Sequence, residues 1–292
     1  GIPWVADFRD LWTEDCRYRA DSPARRAADR RLEQEILETA DAVIGVSPRQ
    51  TEILAGHVPD QSEKFLTITN GFDPDDFTHI GRSLTQRGGQ FVLAYVGRFD
   101  LSQTPESWFS ALGKFVEEIG PDGDRFVLRI AGHVNRTAQA KLIATGVRCE
   151  IQGYLPHRDA ISAMCQADAL LLCSPSGPNG DTIIPAKLFE YLAASRPILT
   201  MGPTGSICER MVQSSRAGVC ADFEEASIVD ALHEVFSAWR SGTPMEGASG
   251  DSIQEFSRVR LTGKLAGVFD QIAVARPEWS VSRGELVAAC DS

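Results

Sequence analysis

Short apolar segments recur along this chain, each followed by a segment with helical periodicity. From residue 91 onward, the runs 91–96, 126–131, 148–152, 169–173, 197–201 and 218–221 read as strands. Helical patterns fall near 105–119, 136–145, 157–166, 185–194, 204–215 and 225–240. Strands that are apolar on both faces and joined by helices are satisfied as a parallel sheet covered on both sides. The expected fold class is α/β, with a doubly wound, Rossmann-like parallel sheet.

A shorter series precedes it. Strands are expected at 4–8, 42–46 and 64–69, with helices at 24–39 and 48–55. Three strands are too few for a complete doubly wound domain, so residues 1–78 read as the closing part of a first Rossmann-like domain. The chain opens Gly1-Ile2-Pro3-Trp4, without an initiator methionine, and runs straight into a strand. Further residues are therefore expected upstream. The polar segment 78–90, with Gly81, Gly88 and Gly89, reads as a linker. Residues 79–250 form the second domain and 251–273 a last amphipathic helix. That helix is read over 253–272, with Phe256, Val259, Leu265 and Val268 broadly on one face. A tail follows over 274–292.

The chain has 292 residues and a net charge of −11, which argues against nucleic acid as its main partner. No apolar run approaches the roughly 18 residues that span a bilayer, and no signal-peptide pattern is seen. Seven cysteines, at 16, 149, 165, 173, 208, 220 and 290, form no CxxC pair and no metal-ligand spacing. They are expected as reduced, structural thiols in a cytoplasmic protein.

Ligands of such sheets bind beyond the carboxyl ends of the strands. Those ends carry Gly97-Arg98, Gly132-His133, Gly153-Tyr154 and the polar loop 174–182. After that loop comes Pro185-Ala186-Lys187-Leu188-Phe189-Glu190-Tyr191-Leu192-Ala193-Ala194-Ser195-Arg196-Pro197. A helix start offers unpaired N–H groups and a positive dipole end to phosphate, and Lys187 adds a full charge one turn in. Glu190 lies on the same helix face, where a carboxylate can accept hydrogen bonds from two ribose hydroxyls. The alternative for these two side chains is an exposed ion pair worth about 0.2–0.5 kcal/mol. Pro185 and the preceding loop favour the nucleotide-sugar site. Arg98 can hold two phosphate oxygens at once, and His133 is a further candidate for lining the site.

Other features read as structural. His57, His79 and His233 are expected on the surface. Asp73-Pro74-Asp75-Asp76 is expected as a turn rather than a metal site, and metal-independent chemistry is expected. Asp7, Arg9 and Asp10 form a local ion-pair network or face a cleft. Gly45-Val46-Ser47 lacks the glycine of a nucleophile elbow. There is no Walker loop and no G-x-G-x-x-G.

Several motifs occur in a set order: Ala6-Asp7-Phe8-Arg9-Asp10-Leu11-Trp12, Thr69-Asn70-Gly71-Phe72-Asp73, Tyr95-Val96-Gly97-Arg98, Ile130-Ala131-Gly132, Gly153-Tyr154-Leu155-Pro156, Ala167-Asp168-Ala169-Leu170, the Pro185 to Pro197 stretch, and Ser257-Arg258. In this order they resemble family 4 (group 1) glycosyltransferases, retaining enzymes of the two-Rossmann-domain type B fold. The resemblance implies that residues 79–250 bind a nucleoside diphosphate sugar and that the last helix crosses back to the first domain. It also implies that roughly 100 residues of the first, acceptor-binding domain are missing.

In the implied site Arg98 and Lys187 are the catalytic cations. Gly97, His133, Tyr154, Leu155, Thr182, Ile183, Ile184 and Glu190 complete the donor contacts, with Tyr154 and Leu155 near the base and the N–H groups around Ile183 and Ile184 near the diphosphate. The family's paired glutamates lie eight positions apart. Glu190 matches the second, and Thr182, beside Asp181, stands in place of the first. The family's lysine after Gly-Arg is absent from Leu101-Ser102-Gln103-Thr104. The implied activity is metal-independent, cofactor-free transfer of a sugar to a glycan, lipid-linked or other cell-envelope acceptor. Such acceptors are compatible with peripheral association at the inner membrane face. This chain alone is expected to bind donor without turning it over. A nucleotide-sugar epimerase or phosphorylase of similar architecture, and a non-catalytic nucleotide-sugar-binding module, are the competing readings.

Overall fold

The computed structural model describes residues 2–78, 89–101 and 104–275. Two compact units emerge: residues up to Thr69 together with those from Val259 on, and Asn70–Arg258. His79, most of the 78–90 segment, Ser102, Gln103, Cys290 and nearly all of the 274–292 tail lie outside the described residues.

In the first unit the chain runs β1 (Val5–Phe8), α1 (Pro23–Thr39), β2 (Ala42–Gly45), α2 (Pro48–Gly56) and β3 (Phe65–Thr67). The three strands pair in parallel in the order β1-β2-β3. Both helices start in the same way. The Ser22 and Ser47 hydroxyls accept from the N–H groups of Arg25 and Gln50, and a proline follows each serine. Leu37, Val43, Leu54 and Phe65 fill one side of this sheet. Ala42, Ile44 and Ile68 pack on the other with Leu261 and Val268. Arg9 pairs with Asp7, and Arg17 with Asp10 and Asp15.

The second unit continues β4 (Phe91–Val96), α3 (Glu106–Ile119), β5 (Phe126–Ala131), α4 (Arg136–Ala144), β6 (Arg148–Gly153), α5 (His157–Gln166), β7 (Ala169–Cys173), α6 (Lys187–Ala194), β8 (Ile198–Met201), α7 (Ile207–Ser214), β9 (Gly218–Ala221) and α8 (Glu225–Arg240). Among the described residues its six strands are all parallel, in the order β6-β5-β4-β7-β8-β9. Side chains alternate along each strand. Phe91, Leu93 and Tyr95 of β4 join the core under α3 and α8. Val92, Ala94 and Val96 join the core under α5, α6 and α7. Asp168 interrupts the apolar run before β7 because its carboxylate accepts the Val92 N–H at 2.8 Å. Strand order reverses between β4 and β7, so the connections leaving those two strands diverge and open a crevice at their carboxyl ends.

The last helical segment differs from the expectation. Instead of one helix over 253–272 there is a short α9 (Gly250–Ile253), a 3₁₀ turn over Gln254–Phe256, an extended Ser257 and then α10 (Arg258–Ala275). The break has a backbone cause. Phe72 donates to the Phe256 carbonyl at 3.1 Å and accepts from the Arg258 N–H at 2.9 Å, which pulls Ser257 out of helical geometry. Phe256 stacks edge-on against Phe189, 5.4 Å away. Val268 is buried as expected, whereas Val259 is exposed and Leu261 is buried instead. Asn70–Thr78 therefore belongs with the second unit. Within it Asp73 caps the Pro74–Phe77 turn.

Two glycines make the rim of the crevice possible. Gly97 and Gly132 follow β4 and β5 with φ of +125° and +147°, and a Cβ on Gly132 would lie 1.9 Å from the Gly97 carbonyl oxygen. Gly146, at φ +73°, faces open space. Gly146→Ala should therefore cost only left-handed strain, about 1–2 kcal/mol. Gly132→Ala should cost a further 1–3 kcal/mol or so from overpacking. Urea denaturation of the two variants measures the difference, and equal costs would show that the close approach does not constrain the fold.

Candidate functional site

The site is built at the reversal between β4 and β7. Val96, the last residue of β4, donates its N–H to the Tyr191 hydroxyl of α6 at 2.9 Å. That bond ties α6 to the end of the strand. Leu188 N–H to the Pro185 carbonyl, 2.9 Å, is the first bond of the helical turn. Lys187 is therefore the first helical residue rather than one turn in.

From there its stem crosses the end of the sheet. The Lys187 ammonium stands 3.9 Å from the centre of the Tyr95 ring, and a Cβ on Gly97 would sit 3.1 Å from Nζ. Glycine at 97 is thus favoured by its φ, and a side chain there would press on the lysine tip. Among the described residues no carboxylate comes within ion-pair distance of Lys187, and it does not pair with Glu190. Burial pulls its pKa from 10.5 down to about 8, against the weaker pull of Cys173 and Glu190 the other way. A largely buried ammonium beside an aromatic face, with no anion of its own, is a cation waiting for one.

Arg98 follows directly. Its carbonyl accepts the Tyr95 hydroxyl at 2.8 Å. Its Nε reaches the Asp100 carboxylate at 2.5 Å, with Arg98 largely exposed and Asp100 buried. The pairing is through Nε, and the largely exposed guanidinium is the kind of fork that suits a phosphate.

Glu190, one turn along α6, is half-buried and makes no hydrogen bond with another described residue. Burial raises its pKa, while His157 and Arg258 draw it back and Asp76 adds to the rise. His157 is held by Asp76 at 2.8 Å, and that bond raises the imidazole pKa above 6.5.

The remaining expected residues differ in what they offer. Tyr154, after the positive-φ Gly153, is 88% exposed. Leu155 packs half-buried against the α5–α6 core. His133 is exposed and its carbonyl accepts the Phe99 N–H at 2.8 Å. Thr182 is buried and its hydroxyl donates to the Asn179 carbonyl at 2.7 Å. The Ile183 N–H is used by the Gly180 carbonyl at 3.2 Å. Those two groups close the loop before α6 rather than presenting themselves to a ligand. Ile184 is buried in the core beside Leu188. Sequence reasoning missed Tyr95, Tyr191, Asp100, His157 and Asp76. Only Tyr95 carried a signal, as a hydroxyl in an otherwise apolar strand two residues before Gly97. His233 pairs with Glu118 at 2.7 Å, and the six cysteines among the described residues are free.

No protein-family model and no curated protein matches this sequence. Solved structures do match in fold. Anabaena HepE, in complex with UDP and glucose, aligns at 14% identity and a TM-score of 0.69 over 92% of this chain and 72% of HepE. A sucrose-phosphate synthase from Thermosynechococcus elongatus aligns at 15% and 0.69, over 93% and 68%. An α,α-trehalose 6-phosphate synthase from Burkholderia multivorans aligns at 10% and 0.65, over 94% and 67%. The chain shares the Rossmann-like, type B glycosyltransferase fold. No helix among the described residues is long and apolar enough to cross a membrane.

An ammonium buried without a partner destabilises the free protein. Its pKa is lowered on folding, so the penalty is fully present below about pH 8 and disappears as pH rises toward 10.5, where the unfolded chain also loses the proton. Lys187→Met should raise stability at pH 7 by up to about 3 kcal/mol, and the gain should shrink above pH 8. Urea melts from pH 7 to 10 read this, and a destabilised Lys187→Met at pH 7 would contradict it.

Proposed function

We propose that this chain binds the nucleoside diphosphate sugar of a retaining, metal-independent glycosyltransferase. The transferred sugar would go to a glycan, lipid-linked or other cell-envelope acceptor. The observation that carries the reading is the largely buried Lys187 ammonium at the strand-order reversal, beside Gly97 and with no carboxylate partner among the described residues. A diphosphate would supply the missing anion. Lys187 would take one phosphate, the exposed Arg98 guanidinium the other, and the positive end of the α6 dipole would add stabilisation. Negative charge building on the departing diphosphate would then meet donors already in place, which lowers the barrier without reorganisation. No metal is needed in this scheme, because two cationic side chains supply the charge.

Glu190 would accept the ribose hydroxyls, which fits a half-buried carboxylate with no hydrogen bond of its own. Tyr154, exposed beside Gly153, would cover the base. Uridine is the base we favour, since HepE was crystallised with UDP. A second reading rests on Thr182. Threonine carries no carboxylate and donates its hydroxyl proton to Asn179, so the position offers the sugar no acid, as a module that binds donor without transferring its sugar would allow. Release of UDP from UDP-sugar in the presence of acceptor separates the two.

Calorimetric titration tests the site itself. UDP should bind, and Lys187→Ala and Glu190→Ala should each weaken it about tenfold or more. Against uridine, which has no phosphate, Lys187→Ala should have little effect while Glu190→Ala keeps its own. Equal losses of uridine and UDP affinity in Lys187→Ala would remove the lysine from the phosphate site.

A further inference from the structure

Tyr95 is fully buried, yet both ends of its side chain are engaged at the rim. Its ring face lies under the Lys187 ammonium at 3.9 Å. Its hydroxyl donates to the Arg98 carbonyl at 2.8 Å. Phe99 meets the ring edge-on, with centroids 5.0 Å apart at 87°, and fixes its plane. The backbone on which it rides is held by Tyr191, whose hydroxyl accepts the Val96 N–H.

We propose that Tyr95 is a positioning residue shared by the two phosphate-binding cations: its ring carries the charge of Lys187, and its hydroxyl sets the turn that aims Arg98. The proposal rests on the donor-site reading for its consequence, but the support itself is a property of the free protein. The ring offers the negative face of its quadrupole to an ammonium that has lost water and has no carboxylate, and in a desolvated site that contact is among the stronger of its kind. Phenylalanine would keep the face but leave the Arg98 carbonyl without its donor. Leucine would fill much of the volume and supply neither. The two functions can therefore be separated in the same position.

The experiment uses the described chain with 13Cε-labelled lysine, the Lys187 signal being assigned by its loss in Lys187→Arg. Tyr95→Phe should leave Lys187 titrating near 8. Tyr95→Leu, checked for cooperative unfolding, should lower it below that of the unaltered chain, because the largely buried ammonium loses the aromatic face beside it. In UDP titrations at pH 7, Tyr95→Phe should weaken binding about threefold to tenfold. That loss should vanish when Arg98 is already alanine, which a merely structural hydroxyl would not do. Tyr95→Leu should weaken UDP further. A Lys187 titration in Tyr95→Leu at or above that of the unaltered chain overturns the ring's role. A Tyr95→Phe penalty that is absent, or equal with and without Arg98, overturns the hydroxyl's. If the unaltered chain binds no UDP, the donor reading fails while the lysine titration still decides the support.

Discussion

Lys187 keeps a charge at the end of the second sheet only because several independent features hold it there. The strand order reverses between β4 and β7, so the connections leaving those two strands diverge. Gly97 has no side chain to occupy the space that Nζ uses. Tyr95 offers a π face instead of a carboxylate. Had an acidic residue stood within reach, the ammonium would be satisfied internally and would gain little from a phosphate. The unsatisfied charge destabilises the free protein, and that is the usual relation between a prepared site and fold stability.

The neighbouring contacts make sense as consequences of that arrangement. Tyr191 pins α6 to β4, which fixes where the lysine starts. Gly132 lets the loop after β5 close against the Gly97 carbonyl. Asp100 holds the Arg98 guanidinium at Nε while the side chain stays largely exposed. Glu190, on the face of α6 that Lys187 begins, is half-buried among His157, Asp76 and Arg258, whose opposing charges leave its pKa raised chiefly by burial.

Much of this fold is legible in the sequence because parallel strands covered on both faces must be continuously apolar. β4, β5, β7 and β9 fall on the runs that the pattern marks, and the fold class follows from the alternation. Lys187, Arg98, Gly97 and Glu190 are legible for a related reason: polar and glycine residues at strand ends and a helix start break the local rule. What the sequence hides is side-chain reach. Nothing in Tyr95-Val96-Gly97 says that a lysine ninety residues on would lie over the tyrosine ring, or that Tyr191 would bond Val96. That the Thr182 hydroxyl and the Ile183 N–H would donate within the loop depends on the left-handed Asn179 turn, which the sequence does not announce. The kink at Ser257 comes from a bridge to Phe72, a partner too distant in sequence for helical periodicity to reveal.

The most direct test of the central claim is the number of protons taken up when UDP binds, measured by calorimetry in buffers of different ionisation enthalpy. At pH 8 about half of the Lys187 side chains are neutral in the free protein. A diphosphate against Nζ would hold the proton, so UDP binding should take up about half a proton per site, and none in Lys187→Met. UDP that binds at pH 8 with no proton uptake would place the diphosphate away from Lys187 and contradict the account.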